Sequence, residues 1–202
     1  GSIRDIYFTN LVLSIYGKLG LMQEADSLFH SIPNPNVVSW NTLMACYIHY
    51  GDVDRAATMF SGIGRTRNVV TWNALITGYA QHGHDEKAIM CFQQMKQEGF
   101  FPSDVTFVCI LKACGSTKTL EYGQSIHKKI MQNQVACDKV VQNTLIDMYI
   151  KCGLLENAKE VFINLPVRDV ITWTALISGY AQHDQAEEAL RCFEQMQHEG
   201  LS

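Results

Sequence analysis

The sequence predicts an all-α fold, a right-handed α-solenoid superhelix of about six antiparallel helix-turn-helix repeats, and two observations carry that prediction. The first is self-similarity: VVSWNTLMACYIHYG, VVTWNALITGYAQHG and VITWTALISGYAQHD are copies of one phrase. Copies at a period of roughly 20–50 residues mark a stacked repeat array. The second is helical spacing within the unit. Trp72, Leu75, Ile76 and Tyr79 are followed by Gly83 and then by Ala88, Cys91, Phe92 and Met95. Such intervals put one apolar stripe on each of two helices, and the glycine marks where the first one stops. A pair this short cannot bury both stripes alone, so neighbouring pairs share a continuous core.

Taken in order, the units run 6–36, 37–68, 69–103, 104–138, 139–169 and 170–202, the last being truncated; residues 1–5 are a lead-in whose Gly1-Ser2 reads as a tag scar. One register position in the first helix of each unit is held by Asn10, Asn41, Asn73, Val108, Asn143 and Thr174, at spacings of 31, 32, 35, 35 and 31 residues. The first helices end at Gly20, Gly51, Gly83 and Gly153, with Lys118 and Asp184 in that place in the other two units. Each second helix carries a small residue (Ala25, Ala56, Ala88, Gly123, Ala158, Ala189) four places before Phe29, Phe60, Phe92, His127, Phe162 or Phe193. This pair is expected to pack, not to react. His127 is expected to be a satisfied, partly buried histidine.

The chain of 202 residues is 47% hydrophobic and 18% charged, a composition that folds. A net charge of -4 and a pI near 6.0 give no basic footprint, so any nucleic-acid affinity has to come from local geometry. Seven cysteines form no C-x-x-C pair, which argues against a disulfide framework or zinc knuckle and for a reducing compartment. No membrane-spanning run and no leader are present, and a targeting peptide is expected to be missing with the native N-terminus. We find no metal set, nucleophile–base pair or phosphate loop, so neither an enzyme nor a cofactor is expected.

An aromatic early in the first helix, a tyrosine seven places on, and Ala and Phe in the second helix are shared by tetratricopeptide and pentatricopeptide repeats. The former have a fixed period of about 34 residues with a small residue where this chain has Leu13, Met44, Ile76, Leu111, Ile146 and Ile177. The chain instead resembles the plant pentatricopeptide-repeat proteins that alternate ordinary, long and short units. VTFVCILKAC and GQSIHKKI look like the long variant, and QNTLIDMYIKCGLLENAKEVF like the short one. The resemblance covers residues 6–202. It implies sequence-specific binding of single-stranded RNA, one base per repeat. It also implies a chloroplast or mitochondrial address and a role as the recognition module of an RNA-processing or C-to-U editing factor. Many of these proteins carry a C-terminal deaminase domain, whose H-x-E and P-C-x-x-C signature is not completed here; His84-Asp85-Glu86 is read as a solvated turn. The competing reading, mildly favoured by the acidic balance, is a protein-binding helical-repeat scaffold.

What the resemblance implies for individual residues is specific. The base-reading pairs would be Asn10 with Asn36, Asn41 with Asn68, Asn73 with Ser103, Val108 with Asp138, and Asn143 with Asp169, while Thr174 lacks a partner. Tyr7, Val38, Val70, Val105, Val140 and Ile171 would sandwich the bases, and Lys18 and Lys151 would contact phosphate. An asparagine amide can face either pyrimidine depending on how it is turned, whereas Val108 has no polar atom to offer. Asp169 is expected to accept from the Asn143 amide, leaving a carbonyl for uracil, and Ser103 and Asn68 to donate to the Asn73 and Asn41 carbonyls, leaving N–H groups for cytosine. The expected order of slots, 5′ to 3′, is pyrimidine, pyrimidine, cytosine with uracil tolerated, any base, uracil, purine. The long unit 104–138 also resembles a docking site for an organellar editing cofactor protein.

Overall fold

A computed structural model describes residues 3–132 and 138–201; Gly1-Ser2, Cys137 and Ser202 lie outside the described residues. Among these, the chain forms twelve α-helices and no strand. First and second helices alternate: α1 (Ile3–Lys18), α2 (Met22–His30), α3 (Val37–Tyr50), α4 (Val53–Ile63), α5 (Val69–Gln81), α6 (Asp85–Gln97), α7 (Asp104–Thr117), α8 (Leu120–Gln132), α9 (Lys139–Lys151), α10 (Leu155–Ile163), α11 (Val170–Gln182) and α12 (Ala186–His198). Each unit is a helical hairpin.

The hairpins start and stop for local reasons. Asn36, Asn68 and Asp169 accept from the backbone N–H of the third residue of α3, α5 and α11, supplying a partner for an otherwise orphaned donor. The turn after each first helix needs a left-handed residue. Gly51 (φ 93°) and Gly83 (φ 74°) adopt it freely, but Lys118 (φ 56°) and Asp184 (φ 59°) hold the same conformation. That backbone costs an ordinary L-residue about 1–2 kcal/mol, with aspartate among the more tolerant.

The chain divides into two compact units, residues 1–106 and 107–202. In the first, α1 packs on α3 and α3 on α5, with α2 and α4 each also touching the next first helix. In the second, α9 packs on α11, and α10 touches both. The repeated seam is aromatic: Phe29 meets Trp40, Phe60 meets Trp72 and Phe162 meets Trp173 edge to face, with ring centroids at 4.7, 4.6 and 4.5 Å. Gly78 and Gly179 allow the first helices to close up, since a Cβ there would lie within 2.8 Å of Ile48 and 2.7 Å of Ile150. Leu13, Met44, Ile76, Leu111 and Ile146 are fully buried. Phe193 departs from the packing expected of it: it is 46% exposed. His127, in the phenylalanine place, is half-buried; its Nδ1 bonds the Tyr149 hydroxyl at 2.9 Å, and burial lowers its pKa.

Charge is sorted between first and second helices. Second helices are tied by exposed ion pairs, Arg55 to Asp26 (3.6 Å), Lys87 to Asp54 (3.3 Å) and Lys159 to Glu188 (3.7 Å). Each contributes no more than about 1 kcal/mol. Helices α3, α5 and α11 contain no Asp, Glu, Lys or Arg at all, and of the 20 acidic residues only Asp5, Asp104 and Asp147 fall in first helices. The net negative charge therefore does not belong to the first-helix layer.

Candidate functional site

The first-helix layer leaves apolar side chains in solvent at a fixed register. Tyr7, Val38, Val70, Val105, Val140 and Ile171 are all exposed, from 53% for Val38 to 75% for Tyr7. A recurring exposed apolar position has no packing purpose within its own hairpin and marks a surface for something else. Three places further on, one helical turn away on the same side, are Asn10, Asn41, Asn73, Val108 and Asn143, all half-buried, and Thr174, which is exposed. The Thr174 hydroxyl donates back to the Val170 carbonyl at 2.6 Å.

Within residues 1–106 these positions form a groove of about 580 Å³ in which Val38, Asn41 and Val70 share a wall with Asn68, Lys18 and His49. That volume suits a small planar ligand group. Its polar content is unusual. The side-chain oxygens of Asn10, Asn41 and Asn143 are buried and have no hydrogen-bond partner. A buried unpaired carbonyl costs about 1–3 kcal/mol, and its recurrence at one register requires an explanation.

Asn73 differs. Its Nδ2 donates to Ser103 Oγ at 2.8 Å, and its Oδ1 accepts from Thr106 Oγ1 at 2.5 Å. Of the pairs expected from sequence, this one meets in a direct hydrogen bond, but the roles are not those expected. Ser103 accepts from the amide, and Thr106 supplies the proton to the carbonyl. The expected bond from Asn143 to Asp169 is replaced by another arrangement: one Asp169 oxygen accepts from the Thr172 N–H at 2.9 Å, and the other is paired with Lys139. Lys139 and the Thr172 cap hold the Asp169 carboxyl at about 2, well below the usual range. Asn36, Asn68, Asp138 and Asp169 all cap the following first helix, so helix capping falls on these residues and not on the asparagines deeper in the helix. Lys139 and the hydroxyls at 39, 71, 106 and 172 were missed by sequence reasoning. The signal for the hydroxyls, Ser or Thr directly after Val38, Val70, Val105 and Ile171, was present in the sequence.

The two candidate phosphate contacts are unequal. Lys18 is exposed on the groove rim, whereas Lys151 is partly neutralised by Asp147 at 2.8 Å on its own helix. Among the described residues there is no group of three His, Cys, Asp or Glu side chains able to hold a metal, and no helix is long and apolar enough to cross a membrane. Burial pushes the Cys91 thiol up to about 12, which suits a packing residue and not a nucleophile.

Comparison with known proteins matches this geometry to one group. A profile for the PPR repeat matches residues 8–34, 38–64, 143–170 and 171–201, and one for the PPR repeat family matches 67–116. In Arabidopsis thaliana, a putative pentatricopeptide repeat-containing protein is 34% identical over 93% of this chain and 26% of its own length. A pentatricopeptide repeat-containing protein named as mitochondrial is 38% identical over 98% of this chain and 26% of its own. Another, named as chloroplastic/mitochondrial, is 30% identical over 95% and 25%. The chain thus spans about a quarter of the length of these curated relatives. Its fold is similar to the crystal structure of the pentatricopeptide repeat protein PPR10 from maize, with a TM-score of 0.73 and 22% identity over 96% of this chain and 30% of that one. It is also similar, with a TM-score of 0.63 and 20% identity over 100% and 36%, to PPR10 in complex with an 18-nt psaJ RNA element.

Proposed function

The chain belongs to the pentatricopeptide-repeat family, and from that premise we propose that its first-helix layer binds single-stranded RNA in a sequence-specific manner, one base per repeat. The observation that carries the proposal is the exposed apolar side chain repeated at one register from Tyr7 to Ile171, beside amides of which three, Asn10, Asn41 and Asn143, have carbonyls with no partner among the described residues. Aliphatic side chains on either side of a base exclude water, and an amide facing its edge supplies donor or acceptor. The pairs Asn10/Asn36, Asn41/Asn68, Asn73/Ser103, Val108/Asp138 and Asn143/Asp169 are the reading positions, with Thr174 as a sixth. Lys18 is the stronger of the two phosphate contacts, since Lys151 shares its charge with Asp147.

The slots then prefer pyrimidine, pyrimidine, cytosine, any base, pyrimidine and purine, 5′ to 3′. The fifth is broadened from uracil because Asp169 is occupied by Thr172 and Lys139 and does not turn the Asn143 amide. The mixed unit lengths, and the long unit at 104–138, support placing the chain in the plant subclass of alternating repeats, as the recognition part of an organellar RNA-processing or editing factor. In that reading the long unit also receives a cofactor protein, and the organelle names borne by two relatives support a chloroplast or mitochondrial address.

The test is fluorescence anisotropy at fixed salt with a matched single-stranded RNA, a scrambled one and a duplex. The matched strand should bind tightest. With so few cations in the first-helix layer, log K should fall only shallowly with log salt. Equal binding of all three, or none, would overturn the proposal and leave the protein-binding scaffold as the better reading.

A further inference from the structure

The third residue of the first helix after each reading position is Ser39, Thr71, Thr106, Val141 and Thr172. These are buried, and four of the five carry a hydroxyl. The positions they follow are Asn10, Asn41, Asn73, Val108 and Asn143, so a hydroxyl accompanies every asparagine and a valine accompanies the valine. Capping does not account for this pairing. Asp138 caps α9 through the Val140 N–H with no hydroxyl at residue 141.

A hydroxyl has one proton to give, and the cap decides where it goes. Thr71 donates to Asn68 Oδ1 at 3.1 Å, Ser39 to Asn36 Oδ1 at 3.1 Å, and Thr172 to the Asp169 backbone oxygen at 2.8 Å. These three caps offer oxygens that only accept, and the asparagines of their units are left with unpartnered carbonyls. At the third unit the cap is Ser103, itself a hydroxyl, and the Thr106 proton turns to the Asn73 carbonyl instead.

We infer that Thr106 is a positioning residue for base recognition: it holds the Asn73 carbonyl, Ser103 holds one amide hydrogen, and the other amide hydrogen is left to face a base. This rests on the RNA reading proposed above and deepens it by assigning specificity to a residue outside the reading pair. An N–H suits the bare N3 of cytosine and opposes the N3–H of uracil, so the third slot owes its cytosine preference to Thr106.

The experiment measures dissociation constants of the 202-residue chain for RNAs differing only in C or U at the second or third slot, with wild type, Thr106→Val, Thr106→Ser and Thr71→Val. Both valine variants lose a capping hydroxyl and should lose similar stability. Only Thr106→Val should reduce the C-over-U ratio at the third slot, by about five-fold, the size of one hydrogen bond. Thr106→Ser should restore it, and Thr71→Val should leave the second-slot ratio unchanged. In the free protein, side-chain amide exchange by NMR should be slower at Asn73 than at Asn41, and Thr106→Val should abolish the difference. RNA binding with an unchanged third-slot ratio in Thr106→Val, or equal losses in both valine variants, overturns the inference alone. Absence of RNA binding by the wild type overturns the reading and the inference with it.

Discussion

Asn41 and Asn73 occupy the same register in consecutive hairpins, share the exposed Val70 between them, and differ in what holds them. Asn41 has a buried carbonyl without a partner, while the following cap, Asn68, spends its oxygen on Thr71. Asn73 is gripped at both ends by Ser103 and Thr106. One hydroxyl in place of one amide at the cap converts an adaptable side chain into a fixed one. If these residues read bases as proposed, recognition at each slot is set by what braces the reading residue as much as by that residue itself.

The largest effect should come from destroying the surface that both units share. Val38→Asp combined with Val70→Asp places carboxylates where bases would be sandwiched, and at about 1–3 kcal/mol per base should weaken RNA binding by roughly 100-fold or more, as read by anisotropy. Because both valines are exposed, the thermal midpoint by circular dichroism should hardly move. A fall in both would break the comparison by making the row structural.

Next in size is the cap that leaves its amide unbraced. Asp169→Ala should cost about 1 kcal/mol in urea denaturation at pH 7. Its folded-state pKa of about 2 lies below the usual aspartate value near 3.9, so its contribution is present above about pH 4 and is lost as pH falls toward 2. The deficit of the variant should shrink over that window. A deficit independent of pH would mean that the carboxylate charge does not matter.

Much of this was legible in the sequence. Copies at uneven intervals of 31 to 35 residues, with glycine at most of the turns and Ala and Phe in most second helices, determine the hairpins because these choices follow from backbone sterics and close packing. The exposed positions were named through the family resemblance, which assigns them a register in each unit. Hydrogen-bond direction could not be. Whether Ser103 donates or accepts depends on Thr106, which comes from the next hairpin, and Asp169 was claimed by Lys139, a residue thirty positions earlier that no local pattern links to it.

A smaller effect separates stability from reading. Lys118→Gly relieves a left-handed backbone in the unit of Val108 and should raise stability by about 1 kcal/mol while leaving every base preference unchanged. A shift in base ranking would tie that turn to the surface and blur the contrast between bracing and folding.

The most direct test of the account varies one base at a time at the second, third and fourth slots of a bound single-stranded RNA and measures the dissociation constant for each of the four bases. Selectivity should be greatest at the third slot, where Asn73 is braced. It should be weaker at the second, where Asn41 is free to turn, and absent at the fourth, where Val108 has no polar atom. A fourth slot as selective as the third, or a second slot more selective than the third, would contradict the account.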